Sequence, residues 1–345
     1  MTNAYAAPVP GEGPNAVPVG PGAGVAALSA SGSVLSATAS GATAVGVAAA
    51  AVDTVGVETT AVGASALQHN AAGGTNNTAV GYAAGANNTA GNNLTAVGSG
   101  ALASNTTGSR NTGVGYSALW ANTTGTPNTA VGDSCLRANT TGALNTGVGV
   151  DCLRFNTTGG NNTGVGVDAL DANITGSYNT GLGESAGRQG TTASFVTAVG
   201  YAALLNSNAN GNTALGCNAG TQPNGTAANA TVAGTNNTFL GYLTGAGDAS
   251  DPSYTLAAGN CATVIGAGSV AIGTDHTGAG AAALAQDQFV LGTALHTVKV
   301  PGMFMVQQAT TIAAPAYVKG GAYFDTTLNK LRIGGATAWE TVTSA

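Results

Sequence analysis

A glycine preceded by valine (once by leucine) returns every 17 residues, as Gly81, Gly98, Gly115, Gly132, Gly149, Gly166, Gly183 and Gly200. Seven unbroken intervals of one length mean that each unit solves the same folding problem and hands the chain on in phase. Counted from the glycine, Thr stands at minus three in every unit, from Thr78 to Thr197. Minus two is only ever Ala or Gly. On a strand, Thr and Val then share one face while the Ala/Gly column and the repeat glycine share the other. A column holding nothing larger than a methyl predicts close approach of a second backbone.

Downstream come a small residue at plus three and usually Leu at plus four (Leu102, Leu119, Leu136, Leu153, Leu170, Leu204). Asn follows at plus seven in six successive units, Asn88, Asn105, Asn122, Asn139, Asn156 and Asn173. Asn and Gly tolerate left-handed backbone, so they are assigned to the corners. Each unit reads as strand, bend, strand, bend, which is one coil of an all-β solenoid or β-roll. Coils stacked at about 4.8 Å per rung pair each other's backbone groups. A helix is disfavoured because each Gly costs about 1 kcal/mol there, and a flexible linker holds no register.

Composition narrows the partners. Charged residues make up 6% and aromatics 5% of 345 residues, with net charge −6. Eight scattered Lys and Arg form no basic stripe, which argues against nucleic acid. No apolar run reaches the roughly 18 residues of a membrane helix. The opening Met1–Pro10 has no basic segment followed by an apolar one, so no Sec signal is expected there and assembly is expected in a cytoplasm.

Three regions are expected. Residues 1–35, with five closely spaced prolines, read as an extended N-terminal arm. Residues 36–285 form the repeat shaft; Thr43-Ala-Val-Gly46 and Thr60-Ala-Val-Gly63 are again 17 apart. After Gly200 the beat passes to Gly216, Gly241 and Gly266, with 221–235 and 244–258 read as loops. Residues 286–345 form a C-terminal β module ending in a meander over 321–325, 330–333 and 338–342.

The Thr-Ala-Val-Gly unit with downstream Ala-Leu and Asn-Thr-Thr-Gly resembles the repeats of bacteriophage tail-fibre proteins. Ser269-Val-Ala-Ile-Gly273 is similar to the head β-rolls of trimeric autotransporter adhesins, and 318–342 resembles the terminal module of many phage fibres. This implies an elongated homotrimer held to other virion proteins through its N-terminal arm, with the C-terminus outermost against a host cell-surface glycan or protein. Its place would be the virion surface. An autotransporter would carry a secretion signal and a membrane anchor, and neither is expected in this chain. Tyr317, Tyr323 and Trp339 in the end module are the expected receptor contacts, though a small core also needs aromatics.

No catalytic residue, cofactor or metal is expected. Asp151 and Asp168 share position plus two of adjacent coils, beside Arg137, Arg154, Asp171 and Arg188 at plus five. Ion pairing, a cation site and the paired carboxylates of a glycoside-cleaving tailspike are the readings of this cluster. Cys135 and Cys152, both at plus three, read as stacked buried thiols or as a disulfide. Tyr82, Tyr116 and Tyr201 at plus one, with Trp120, form either a sugar-stacking stripe or plugs at corners and intersubunit gaps. The Asn-x-Thr triplets read as asparagine ladders, not glycan acceptors. If flat and exposed, the Thr column would suit a different role, binding a crystalline surface such as ice or a polysaccharide.

Overall fold

The computed structural model describes residues 41–51, 57–70, 73–221, 234–246, 253–264, 267–273, 282–283, 289–291, 308–309, 322–325, 330–334 and 339–341. Among these there is no helix. The repeat supplies β1 (Thr43–Val45), β2 (Thr60–Val62), β3 (Thr78–Val80), β4 (Thr95–Val97), β5 (Thr112–Val114) and β6 (Asn128–Val131). It continues through β7 (Asn145–Val148), β8 (Thr163–Val165), β9 (Thr180–Leu182), β10 (Thr197–Val199), β11 (Thr213–Leu215) and β12 (Thr238–Leu240). After β13 (Gly245–Ala246) come β14 (Leu256–Ala258), β15 (Thr263–Val264), β16 (Val270–Ile272), β17 (Ala282–Ala283) and β18 (Phe289–Leu291).

Fifteen of these strands form one parallel sheet in sequence order, from β1 through β12 to β14, β16 and β18. Thr pairs with Thr and Val with Val from rung to rung, as in Thr95↔Thr112 and Val97↔Val114. The chain is a parallel β-solenoid of about twelve coils of about 17 residues, each rung supplied by the same chain. A second, three-stranded parallel sheet joins β13, β15 and β17.

The pleat sorts the columns as the alternation requires. The minus-two alanines, Ala44 through Ala130 and Ala198 to Ala214, are buried, while Thr at minus three and Val at minus one face outward. The predicted close approach occurs at the repeat glycine itself. A methyl placed on Gly81 would lie 2.5 Å from the carbonyl oxygen of Gly98, and the same holds up the stack. The interior is thin, built from Ala or Cys at plus three, Leu at plus four and two columns of Asn. Where plus four is Gly220 instead of Leu, buried Phe239 at minus two of the next rung fills the space.

The corners differ from expectation. The plus-seven asparagines do not take left-handed φ; residues at plus two, plus four and plus twelve do, such as Ser134 (54°), Leu136 (51°) and Leu144 (61°). A left-handed leucine costs about 1–2 kcal/mol. Burying that side chain returns about 1.5–3 kcal/mol, and the twist aims its N–H at the next coil. Gly132 and Ser134 donate backwards to Val114 and Tyr116, whereas Leu136 and Ala138 donate forwards to Cys152 and Arg154. The alternating twist thus bonds one bend to both neighbours.

Inside each coil the plus-seven Asn donates to its counterpart one coil back, Asn139 to Asn122 and Asn156 to Asn139 at 2.8 Å, and also to a carbonyl of its own corner. The ladder runs from Asn70 to Asn173. Sequence reading missed a second ladder at minus four. There the Asn128 side-chain oxygen accepts from the Asn145 backbone N–H at 3.0 Å, and its amide donates to Gly142 O at 2.8 Å.

Three further expectations need correcting. The rung glycine facing Gly241 is Gly259, followed by Gly273, at φ 123° and 118°, while Gly266 lies outside the described residues. Leu256-Ala-Ala-Gly259 lacks both Thr and Val, so only its pairing with β12 and β16 reveals it. The stretch 244–258 is therefore no simple loop, since it contains β13 and ends in β14. Phe289–Leu291, assigned from sequence to the end module, pairs with β16 as the last rung of the large sheet. The arm, residues 1–35, lies outside the described residues.

Residues 297–345 form a separate compact unit. Its strands β19 (Gln308–Ala309), β20 (Ala322–Asp325), β21 (Lys330–Gly334) and β22 (Trp339–Thr341) make one four-stranded sheet. The β20–β21 and β21–β22 pairs are antiparallel, and β19 joins β20 in parallel.

Candidate functional site

The charged cluster lies on one edge of coils β6 to β10, where the bend after the repeat glycine turns plus-five side chains outward. Arg154 sits between two carboxylates, its Nη1 3.3 Å from Asp151 Oδ1 and its Nε 3.2 Å from Asp171 Oδ1. The latter contact lacks hydrogen-bond alignment, so its attraction is Coulombic. Arg188 bridges Asp168 at 3.6 Å and Asp171 at 3.8 Å. Asp171 is buried, and burial pushes its carboxyl above the usual carboxylate range. Asp168 and Asp151 reinforce that shift; Arg154 and Arg188 oppose it. The two aspartates expected to pair as carboxylates are thus each tied to an arginine. The outer pairs are half exposed and worth no more than about 1 kcal/mol each.

Arg137 stands apart. Among the described residues no carboxylate comes within ion-pair distance of it, and its guanidinium rests over the Trp120 ring at 5.8 Å. Arg154 lies over the Phe155 ring at 4.3 Å. Between these stacks opens a cavity of about 180 Å3, lined by Trp120, Ala121, Arg137, Ala138, Arg154 and Phe155. Phe155 escaped sequence reading; its signal is an aromatic at plus six, where the neighbouring coils carry Ala121, Ala138 and Ala172.

The outer sheet face is the other candidate. Along it Thr at minus three is mostly half exposed. Beside it Val45, Val80, Val131, Val148, Val165, Leu182, Leu215 and Leu240 are 37–54% exposed. Tyr82, Tyr116 and Tyr201 continue this apolar surface at plus one and are exposed rather than plugging a corner of their own chain. Tyr178 and Phe195 stack face to face at 5.2 Å on adjacent rungs.

Cys135 and Cys152 are free, buried thiols on neighbouring rungs, and their hydrogen bond and burial push the Cys135 thiol far up. The Asn-x-Thr asparagines of the ladder are wholly buried. His69 Nδ1 lies 3.1 Å from Ala86 O; His276 and His296 are outside the described residues. Tyr317 is also outside them. Tyr323 and Trp339 fall on β20 and β22, paired with Arg332 and Gly334. Among the described residues no three His, Cys, Asp or Glu side chains are placed to hold a metal ion, and no helix is long and apolar enough to cross a membrane. No protein-family model matches the chain, and no curated protein matches it.

Proposed function

We propose that this chain is a structural virion fibre, three solenoids side by side, that projects from the particle and attaches to a host surface. In this reading the arm joins other virion proteins, the end module carries receptor contacts and no reaction is catalysed. One observation carries it, the outward Val/Leu column that recurs along the sheet, with exposed tyrosines beside it at Tyr82, Tyr116 and Tyr201. Soluble monomers rarely leave apolar patches of more than a few hundred Å2 open, so identical copies are its natural cover. The resemblance of the repeat to tail-fibre sequences supplies the biological setting. Three tips then add multivalent avidity to one weak site.

Light scattering on the native particle tests the assembly. Three chains of 32.8 kDa are expected, and a single 32.8 kDa species would overturn it. A second reading, adhesion to an ice or polysaccharide surface, is favoured by the in-register Thr column on the open sheet face. Thermal hysteresis by a monomer would establish that reading in place of the fibre.

A further inference from the structure

We infer that the cleft between Trp120 and Phe155 binds an acidic glycan, a sugar ring bearing a carboxylate, with Arg137 as the anion's partner. The inference rests on the attachment reading for its biological sense, and gives that reading a ligand class on the shaft instead of the tip. Three features of the cleft converge on this ligand.

The first is charge. Arg154 and Arg188 lie in ion pairs with Asp151, Asp168 and Asp171, so their charges are compensated within the chain. Arg137 is exposed and has no such partner among the described residues. Its contact with the Trp120 ring at 5.8 Å consumes none of its N–H groups, leaving the fork free for a bidentate carboxylate.

The second is shape. Trp120 and Phe155 stand two rungs apart, about 10 Å along the stack, over a floor of Ala121 and Ala138. Methyl-sized residues between the two ring–guanidinium pairs leave a slot for a flat ligand, with apolar surface from the rings and alanines beside Arg137 and the already paired Arg154. The third is size. At about 180 Å3 the cavity is smaller than the 300–1,000 Å3 of drug-sized pockets, and it opens to solvent, so one ring sits inside while its chain runs on. A bare inorganic anion would have no use for the aromatic walls.

The test is calorimetric titration of the full chain with a linear tetramer of a hexuronate, against a neutral glucose tetramer and inorganic sulfate. The acidic tetramer should bind at least tenfold tighter than either. Arg137→Gln should weaken it at least tenfold and Arg137→Lys several-fold, because the ammonium keeps the charge and loses the fork. Trp120→Leu should also weaken it several-fold, with melting temperatures unchanged throughout. Equal affinity for the neutral tetramer, sulfate binding as tightly, no binding at all, or wild-type affinity in Arg137→Gln would each overturn the inference. None of these outcomes alters the particle mass, so trimer assembly is judged separately.

Discussion

Cys135 and Gly147 illustrate how far the coils are matched to one another. A methyl on Gly147 would stand 2.5 Å from Cys135 Sγ, and Gly164 stands in the same relation to Cys152. Ala118 and Ala130 occupy the same two positions with a methyl at each, whereas both cysteines face a glycine. The larger thiol is therefore accommodated by deleting a methyl one rung on. Gly147→Ala should cost about 1–3 kcal/mol by overpacking. Adding Cys135→Ala should restore most of it, a coupling of about 0.5–3 kcal/mol readable by denaturant titration. At Gly81 no such rescue exists. Its φ of 135° is open essentially to glycine alone, and the obstacle is the Gly98 backbone. Gly81→Ala should cost about 4 kcal/mol, at the severe end for one substitution, in the same titration.

Among the elements, the bend and its asparagine ladder bear most directly on stability. Asn139 donates to Asn122 and Gly142 and accepts from Asn156, all within the interior. Asn139→Ala leaves buried partners unmet and should cost about 2–4 kcal/mol in chemical unfolding. Asn139→Asp should cost more, since it buries a carboxylate and removes two donors. The charged edge adds a pH response. Because burial raises the Asp171 carboxyl in the folded state, the folded chain keeps a proton at pH values where the unfolded chain has released it. That contribution is complete below the unfolded carboxylate range and is lost as pH rises through the folded value. Melting curves from pH 4 to 7 should show wild type gaining on acidification relative to Asp171→Asn. Of these features, the first Asn ladder and the Asp/Arg cluster were legible in the sequence, since a fixed period stacks like on like. The left-handed leucines were not, because propensity assigns that backbone to Asn and Gly; tertiary burial of Leu136 and its forward hydrogen bond override it. Nor was the Trp120–Phe155 cleft, which depends on which way plus-five and plus-six side chains leave the bend.

For the whole molecule, the 17-residue beat carried the fold and lost its hold only where the beat broke. The rung at Leu256–Ala258 keeps a small residue at minus two and a glycine after it, but not the Thr and Val that made the others visible. Backbone pairing persists whatever the outward residues are, and even the inward column admits Phe239 where Gly220 leaves room for it. If coils are interchangeable units stacked in phase, a whole period can be removed without disturbing any column. Deleting residues 133–149 joins Gly132 to Val150, returns Cys152 to plus three and keeps Gly164 above it. Deleting 133–141 removes about half a turn and puts every column out of phase. Thermal unfolding of the two variants, followed by far-ultraviolet circular dichroism, compares them directly. Stacked coils predict that the 17-residue deletion folds with a β spectrum and a cooperative transition near that of wild type, while the nine-residue deletion does not. Equal folding of both, or collapse of both, would contradict it.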